Sequence, residues 1–315
     1  MNEIVKLNNL NIKVNKHNTL VNNVSLKIKK GEIYGLVGES GSGKTLTAKA
    51  IINLLPDNLS YSADEICIDG ENINNISKLD KKSLIGKNIG FIPQNTIFFL
   101  HPMIKIKNQI SDGYIKHMKR SKTEGLKKAS EILKKVGFND PNTILNYYPW
   151  QLSGGMRQRV NIAMAIMNDP KLIIADEPTT ALDSTIQRQV IELFKTINEE
   201  MGISILMISH DLGLIKHYCH SLSVMYAGQI VESGLADEVF NNPKHPYTEL
   251  LIKIIPSFKI KKNKPLSEIP GYVQEIGRER EGCIFMDRCP KAMDICSKSV
   301  SEYNINNHYY KCNIE

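Results

Sequence analysis

The sequence predicts an α/β fold whose core is a mostly parallel β-sheet covered by helices on both faces. Two observations predict this fold. Between positions 31 and 208, short apolar runs alternate with stretches of helical periodicity, the pattern of parallel strands joined by crossover helices. The first of these runs ends in a glycine-rich turn at 38–45, and a helical stretch follows the turn directly. At 315 residues, 42% of them hydrophobic, the chain can bury a substantial core.

The strands and helices are predicted in order along the chain. Residues 1–30 alternate apolar and polar positions, which indicates antiparallel strands in a half-exposed sheet. Further strands are predicted at 64–70, 89–94, 171–175 and 203–208, and helices at 46–55, 104–138, 156–168 and 186–200. In the second of these helical stretches, apolar side chains recur at helical spacing with lysines opposite. We therefore expect a helical insertion there.

The glycine-rich turn fits a site for nucleotide phosphate. Four residues separate Gly38 from Gly43, and Lys44 and Thr45 follow. Backbone N–H groups of such a turn, together with the positive end of the next helix, attract phosphate oxygens. Lys44 adds a positive charge and Thr45 a hydroxyl for Mg²⁺. The predicted nucleotide ligands are Gly38, Ser40, Gly41, Ser42, Gly43, Lys44 and Thr45.

Polar residues follow three of the predicted strands. Gln94 ends one strand, Asp176 and Glu177 follow the next, and His210 follows a third. Because the carboxyl ends of parallel strands meet at one edge of a sheet, we expect these acids to face the phosphates.

The charge balance and the apolar runs limit the partners. The net charge is +7, and a lysine-rich patch lies at 259–264. A solvated basic face is favoured over a surface for nucleic acid or anionic lipid, since aromatic residues do not interleave with the basic ones. No apolar signal region opens the chain, and no apolar run approaches the length of a membrane span. We expect a cytosolic protein that reaches a membrane only through a partner.

Together these pieces resemble the nucleotide-binding subunit of an ABC transporter over about residues 1–255. Besides the phosphate loop, the resemblance rests on Gln94 at the Q-loop position, the signature at 152–159, the acidic strand at 172–177, the D-loop at 181–183, and His210 at the switch position. It implies a P-loop, RecA-like core, an antiparallel β subdomain and a helical signature subdomain at about 95–168.

The resemblance also implies roles for matching residues. Asp176 would hold Mg²⁺ through water, Glu177 would polarise the attacking water, and His210 would hydrogen-bond the γ-phosphate of ATP. Gln94 would sense Mg²⁺ and the water. Ser153 and Gly155 would bind the γ-phosphate of the nucleotide held by a second subunit, so the active unit would be a dimer. Gly154 and Asp183 are further candidates for nucleotide binding.

One family feature is missing from the sequence. Val14 occupies the position where the family has an aromatic residue that stacks on adenine. Either adenine packs on an aliphatic surface, or another aromatic side chain reaches it.

The C-terminal part resembles an extension found in oligopeptide, dipeptide and nickel importer ATPases. The resemblance rests on His245-Pro246-Tyr247-Thr248, Ile269-Pro270-Gly271, and the run from Gly282 to Pro290. Gln274 and Glu281 stand where relatives often have prolines, which weakens the match of the connecting segment. We divide the chain into an ATPase domain at 1–255 and an extension at 256–315.

Four of the six cysteines, Cys283, Cys289, Cys296 and Cys312, lie in the extension. Five, six and fifteen residues separate them, which is neither the paired zinc pattern nor a ferredoxin run. In a reducing cytosol, clustered thiols bind metal more often than they form disulfides. The resemblance to relatives that hold a [4Fe-4S] cluster favours that cofactor, as a structural staple rather than a redox centre. Zinc and unmetallated thiols remain the alternatives.

We therefore predict an ATP- and Mg²⁺-dependent subunit that powers an ABC importer for oligopeptides or dipeptides. It would pair with a homologous ABC ATPase subunit, or with a copy of itself, beneath two transmembrane permease subunits fed by an extracytoplasmic substrate-binding protein. Its place would be the cytoplasmic face of the membrane. A nickel or metal-chelate importer is the alternative. A soluble ABC ATPase acting on nucleic acid or the ribosome is a further class, but the importer-type tail disfavours it and no nucleic-acid partner is expected.

Overall fold

The structure is a computed structural model that describes residues 2–15, 18–76, 84–94, 99–255, 269–272 and 281–314. The lysine-rich patch at 259–264, Gln274 and positions 95–98 of the expected helical subdomain lie outside the described residues.

The described residues form an α/β structure. Its strands are β1 Glu3–Val14, β2 Asn18–Lys29, β3 Ile33–Val37, β4 Leu59–Ser62, β5 Glu65–Ile68, β6 Glu71–Asn72, β7 Ile89–Ile92, β8 Leu172–Asp176, β9 Ser204–Ser209, β10 Ser221–Tyr226, β11 Gln229–Leu235, β12 Glu302–Ile305 and β13 His308–Lys311. Its helices are α1 Lys44–Ile51, α2 Ile106–Met118, α3 Lys122–Lys135, α4 Pro141–Asn146, α5 Gly154–Ile166, α6 Ser184–Met201, α7 Leu212–Tyr218, α8 Ala236–Asn241 and α9 Pro246–Lys253. The predicted fold class is confirmed.

The chain divides into two compact units, each built from separate stretches of sequence. The helical unit comprises Met1–Ile4, Lys29–Glu32 and Asn75–Met207. The loop unit comprises Val5–Ile28, Ile33–Asn74 and Ile208–Glu315. The predicted division at position 255 stays a prediction.

In the loop unit, β3 pairs in parallel with β10, and β10 pairs antiparallel with β11. Strand β3 is buried along its whole length, as expected of an apolar run inside a parallel sheet. A second sheet has the order β2-β1-β5-β6, with β4 also on β1, and its β1–β4, β1–β5 and β5–β6 pairs are antiparallel. Strands β1 and β2, the two predicted ahead of the glycine-rich turn, lie side by side in this sheet.

The C-terminal residues join the sheet of the loop unit. Strand β13 pairs antiparallel with β11 and with β12, so the last described strands continue the row β10-β11 outward. Between β11 and β13, the buried carboxylate of Glu232 accepts a hydrogen bond from the backbone N–H of His245 at 2.9 Å, and its Oε1 lies 2.8 Å from Nε2 of His308. Sequence patterns predicted the extension but not this pairing.

In the helical unit, β7 and β8 pair in parallel, and β9 lies on the other side of β8. Helices α2 and α3 form the predicted helical insertion. A reciprocal pair of hydrogen bonds between Ser121 and Glu124 fixes the start of α3. Its buried face consists of Gly125, Ala129, Ile132 and Leu133.

Candidate functional site

The phosphate loop at 38–45 connects β3 to α1 and packs tightly on the end of β10. Gly38 has a φ of +151°, and a Cβ built on it would overlap the carbonyl oxygen of Met225. The backbone N–H of Gly228, just after β10, donates to the carbonyl of Ser42 at 2.9 Å. Only glycine fits at position 38, because both its backbone angle and the space around it exclude a side chain.

Lys44 lies inside this loop. Its side chain is 4% exposed, and Nζ donates to the carbonyl oxygens of Gly38 and Glu39 at 2.8 Å each. Helix α1 begins at Lys44, with Gly43 as its N-cap and no side chain capping its first amides. Those amides and the positive end of the helix are the groups that bind an anion. The structure therefore brings the predicted residues 38–45 together as one anion-binding turn.

His210 also belongs to the loop unit. It is exposed and follows β9 directly. The backbone on its far side is fixed, because the N–H of Asp211 donates to Oγ of Ser209 at 2.9 Å and the carboxylate of Asp211 caps α7. The imidazole thus projects from a short, well-held turn.

In the helical unit, the structure brings Gln94 and Glu177 together. Nε2 of Gln94 donates to Oε2 of Glu177 at 2.9 Å, and the hydroxyl of Thr180 donates to the same oxygen at 3.0 Å. Glu177 has a φ of +47°, an unusual value for a residue other than glycine. This strained backbone follows the buried Asp176, which is 2% exposed at the end of β8. Sequence reasoning missed Thr180, although a hydroxyl three residues beyond Glu177 is a readable signal.

The signature residues lie at the start of α5. Ser153 is its N-cap, with Oγ accepting from the N–H of Met156 at 3.2 Å. A Cβ on Gly155 would stand 2.8 Å from Cγ2 of Ile186, so glycine lets α5 approach α6 closely. Asp183 caps α6 by accepting from the backbone N–H groups at 185 and 186.

The predicted residues divide between the two units. The loop unit holds residues 38–45 and His210, and the helical unit holds Gln94, Ser153, Gly154, Gly155, Asp176, Glu177 and Asp183.

The four extension cysteines are free thiols, and the charges of three of them affect the pKa of the fourth. The pKa of Cys283 rises to about 11, first because the thiol is buried and then because of the charges of the other three. Burial likewise raises the pKa of Cys289 and of Cys312. Even so, no three His, Cys, Asp or Glu side chains within the described ranges are placed as a metal site. The donor chemistry fits a metal centre, but this arrangement gives no support to a cluster.

Val14, at the end of β1, is half-buried and pairs with Leu59 of β4. Among the described residues, no helix is both long and apolar enough to cross a bilayer.

Two family models match the chain. The model of the ABC transporter family matches residues 21–180. The model of the oligopeptide/dipeptide transporter C-terminal region matches residues 231–296.

Curated relatives match most of the chain. The dipeptide transport ATP-binding protein of Escherichia coli (strain K12) is 41% identical over 276 residues, covering 88% of this chain and 84% of the relative. The oligopeptide transport ATP-binding protein of Bacillus subtilis (strain 168) is 42% identical, covering 87% and 77%.

Solved structures share the fold. A dimeric ATP-binding cassette in a post-hydrolysis state, bound to ADP and phosphate, is 30% identical with a TM-score of 0.64 and covers 74% of this chain and 98% of its own. The cbiO1 protein from Clostridium perfringens, part of an ABC transporter complex, is 27% identical with a TM-score of 0.68 and covers 77% and 92%.

From the packing of the phosphate loop we predict how alanine at two of its glycines changes the free energy of unfolding. Gly38→Ala should lower the free energy of unfolding by more than about 3 kcal/mol, because the new Cβ meets backbone that cannot move aside. Gly41→Ala is the control: its φ is +80°, but a Cβ there meets nothing within 4 Å, so only about 1–2 kcal/mol of backbone strain is expected. Denaturant unfolding of both variants measures the difference, and equal losses would contradict the close approach to Met225.

Proposed function

The chain belongs to the ABC transporter family, and on that premise we propose that it is the ATP-hydrolysing subunit of an importer for oligopeptides or dipeptides. Its ATPase activity is coupled to transport, as in the family. The match of residues 231–296 to the C-terminal region of oligopeptide and dipeptide transporters carries the choice of cargo. The named relatives do not favour the nickel or metal-chelate alternative. A soluble ATPase acting on nucleic acid or the ribosome has no observation in its favour.

In this proposal, the turn at 38–45 holds the phosphates of ATP through its amides and Lys44. The hydroxyl of Thr45 would bind Mg²⁺, and the carboxylate of Asp176 would hold the ion through water. Both are hard oxygen donors, and a buried carboxylate at a strand end suits a divalent cation. Bound Mg²⁺ would offset the charge of the phosphate oxygens.

Glu177 is the proposed general base. A carboxylate that takes a proton from water must be held in one orientation, and Gln94 and Thr180 both hydrogen-bond its Oε2. In this role the carboxylate of Glu177 would accept a proton from the attacking water. Gln94 would report on the same water, and the exposed His210 would donate to the γ-phosphate.

We further propose that two ATPase subunits close on ATP. Ser153, Gly154, Gly155 and Asp183 would meet the nucleotide held by the other subunit. The exposed start of α5, with no acidic residue in its first turn, supports this because a helix N-terminus attracts phosphate. A solved cassette of this fold is dimeric. The partner would be a homologous subunit rather than a second copy.

Two transmembrane permease subunits and an extracytoplasmic substrate-binding protein complete the proposed assembly, with this chain at the cytoplasmic face of the membrane. Exposed apolar side chains follow Gln94 closely along the chain: Phe99 and Ile104 are exposed, and Met103 is 76% exposed. Such a patch is typical of a protein contact. Because Gln94 touches Glu177, a permease bound near this segment could sense the state of the base.

For the four cysteines we propose a structural [4Fe-4S] cluster. The composition of the donor set, four cysteine thiols in one segment of the chain, supports it. The lack of a grouped metal site among the described residues counts against it.

The cargo is tested by uptake. Cells carrying Lys44→Ala should lose uptake of labelled dipeptides or oligopeptides and keep uptake of nickel, because the ammonium at the centre of the phosphate loop is gone. The control is Lys49→Ala, one turn further along α1, which should transport normally. Loss of nickel uptake alone would make this a metal importer, and loss of neither would overturn the importer assignment.

The base is tested in the purified transporter. Glu177→Gln should lower ATP turnover at least about 100-fold while ATP still binds, since the amide keeps the shape but cannot take a proton. Subunits should then accumulate as an ATP-bound dimer, measurable by size-exclusion chromatography. Glu192→Gln, which removes an exposed carboxylate from α6, is the control. Unchanged turnover in Glu177→Gln would refute the base assignment.

The cluster is tested by anaerobic purification. The wild-type protein should be coloured and contain iron, and Cys312→Ser should lose both the visible absorption and the iron. Cys67→Ser, which removes a thiol outside the extension, should retain them. A colourless, iron-free wild-type protein would rule the cluster out.

A further inference from the structure

An ion pair joins the cysteine-rich extension to the phosphate loop. Arg288, one residue before Cys289, faces Glu39, the second residue of the loop. Nη1 lies 2.8 Å from Oε2 of Glu39, and Nη2 lies 3.0 Å from Oε1, so both partners are engaged through two hydrogen bonds. The side chain of Arg288 is 4% exposed and that of Glu39 is 26% exposed. Such paired, shielded contacts between guanidinium and carboxylate are among the stronger polar interactions in proteins.

The guanidinium is held on its other sides as well. Nε donates to the carbonyl of Pro270 at 2.8 Å, and Nη2 reaches the carbonyl of Ile269 at 3.3 Å. Its Cζ lies 5.7 Å from the ring centre of the buried Tyr226. The guanidinium of an arginine stays protonated in proteins. The extension therefore presents a fixed positive charge to the loop.

The backbone of Glu39 is also held by two hydrogen bonds. Its N–H donates to the hydroxyl of Tyr247 at 2.9 Å, and its carbonyl accepts from Nζ of Lys44 at 2.8 Å. Tyr247 packs in turn on Phe285 of the extension, with ring centres 5.2 Å apart. Three contacts thus fix one residue of the loop, and two of them depend on side chains from beyond position 245.

The charge of Glu39 explains why these contacts matter for the binding of ATP. A carboxylate in a loop that binds a triphosphate carries the same sign as its ligand, so an unpaired Glu39 would repel ATP. The pair with Arg288 cancels that charge and holds the carboxylate on the side of the extension. Loss of Arg288 would both loosen the loop and expose the negative charge.

We propose that Arg288 is a positioning residue for ATP binding: it holds Glu39, and through it the phosphate loop, in the shape that accepts the nucleotide. The inference rests on the proposed function of residues 38–45 as the phosphate site. It makes the affinity for ATP depend on a segment near the other end of the chain, in addition to any role of the cysteines themselves.

The test compares Arg288→Ala with Lys291→Ala in the full-length chain. Lys291 is the matched control, because it also joins the extension to the rest of the loop unit, through an ion pair with Glu249 of α9 at 2.6 Å, but does not touch the phosphate loop. Binding of MgATP is measured by calorimetry, and kcat and KM by steady-state hydrolysis. Arg288→Ala should raise Kd and KM roughly 10- to 100-fold with a smaller change in kcat, and Lys291→Ala should change them less than about twofold.

Second variants separate positioning from general damage. Adding Glu39→Gln to Arg288→Ala removes the unpaired charge and should recover at least part of the lost affinity, which a merely structural role of Arg288 would not produce. Should Arg288→Ala fail to fold, Arg288→Lys gives the same reading, because lysine keeps the charge without the two parallel hydrogen bonds and should bind ATP with intermediate affinity.

The measured affinities for ATP decide whether the inference holds. Wild-type affinity in Arg288→Ala or Arg288→Lys would overturn the inference, as would a loss that Glu39→Gln does not relieve. If the wild-type chain itself binds no MgATP, the proposed function fails rather than the inference alone.

Discussion

The close approach of the phosphate loop to the end of β10 is the constraint on which the rest of the loop unit depends. Gly38 leaves no room for a side chain beside Met225, and Gly228 donates to Ser42 from the turn after β10. The parallel pairing of β3 and β10 sets that distance, so the shape of the anion site is fixed by the sheet. Lys44 is then buried by the loop's own carbonyls, with its charge directed inward.

In the helical unit, the main constraint is the strained backbone of one acidic residue. Glu177 adopts a positive φ directly after a fully buried strand, a conformation that costs on the order of 1–3 kcal/mol. Hydrogen bonds from Gln94 and Thr180 hold its carboxylate in spite of this cost. Strain of this kind persists only where the surroundings fix the residue, and here they fix the carboxylate that we propose as the general base.

Much of this could be predicted because the responsible residues are close in sequence. The strand, glycine turn and helix at 33–51 and the capping serine Ser153 each follow from local patterns. The pairing of β13 with β11 and the contact of Arg288 with Glu39 do not, because they join residues far apart in the chain. Arg288 was read only as part of a family motif, since no local pattern states which carboxylate a distant arginine will meet. Placement of the four cysteines likewise depends on tertiary packing.

The outward row β10-β11-β13-β12 has a consequence for the solubility of shortened chains. Without a neighbouring strand, the edge of β11 would expose unpaired backbone N–H and C=O groups. Such edges can pair with a strand of another molecule and promote aggregation. Here β13 covers β11, and the outermost strand β12 is only four residues long, from Glu302 to Ile305, with three of its four side chains exposed. The extension thus covers an aggregation-prone edge of the sheet. A chain ending before position 300 would leave that edge exposed.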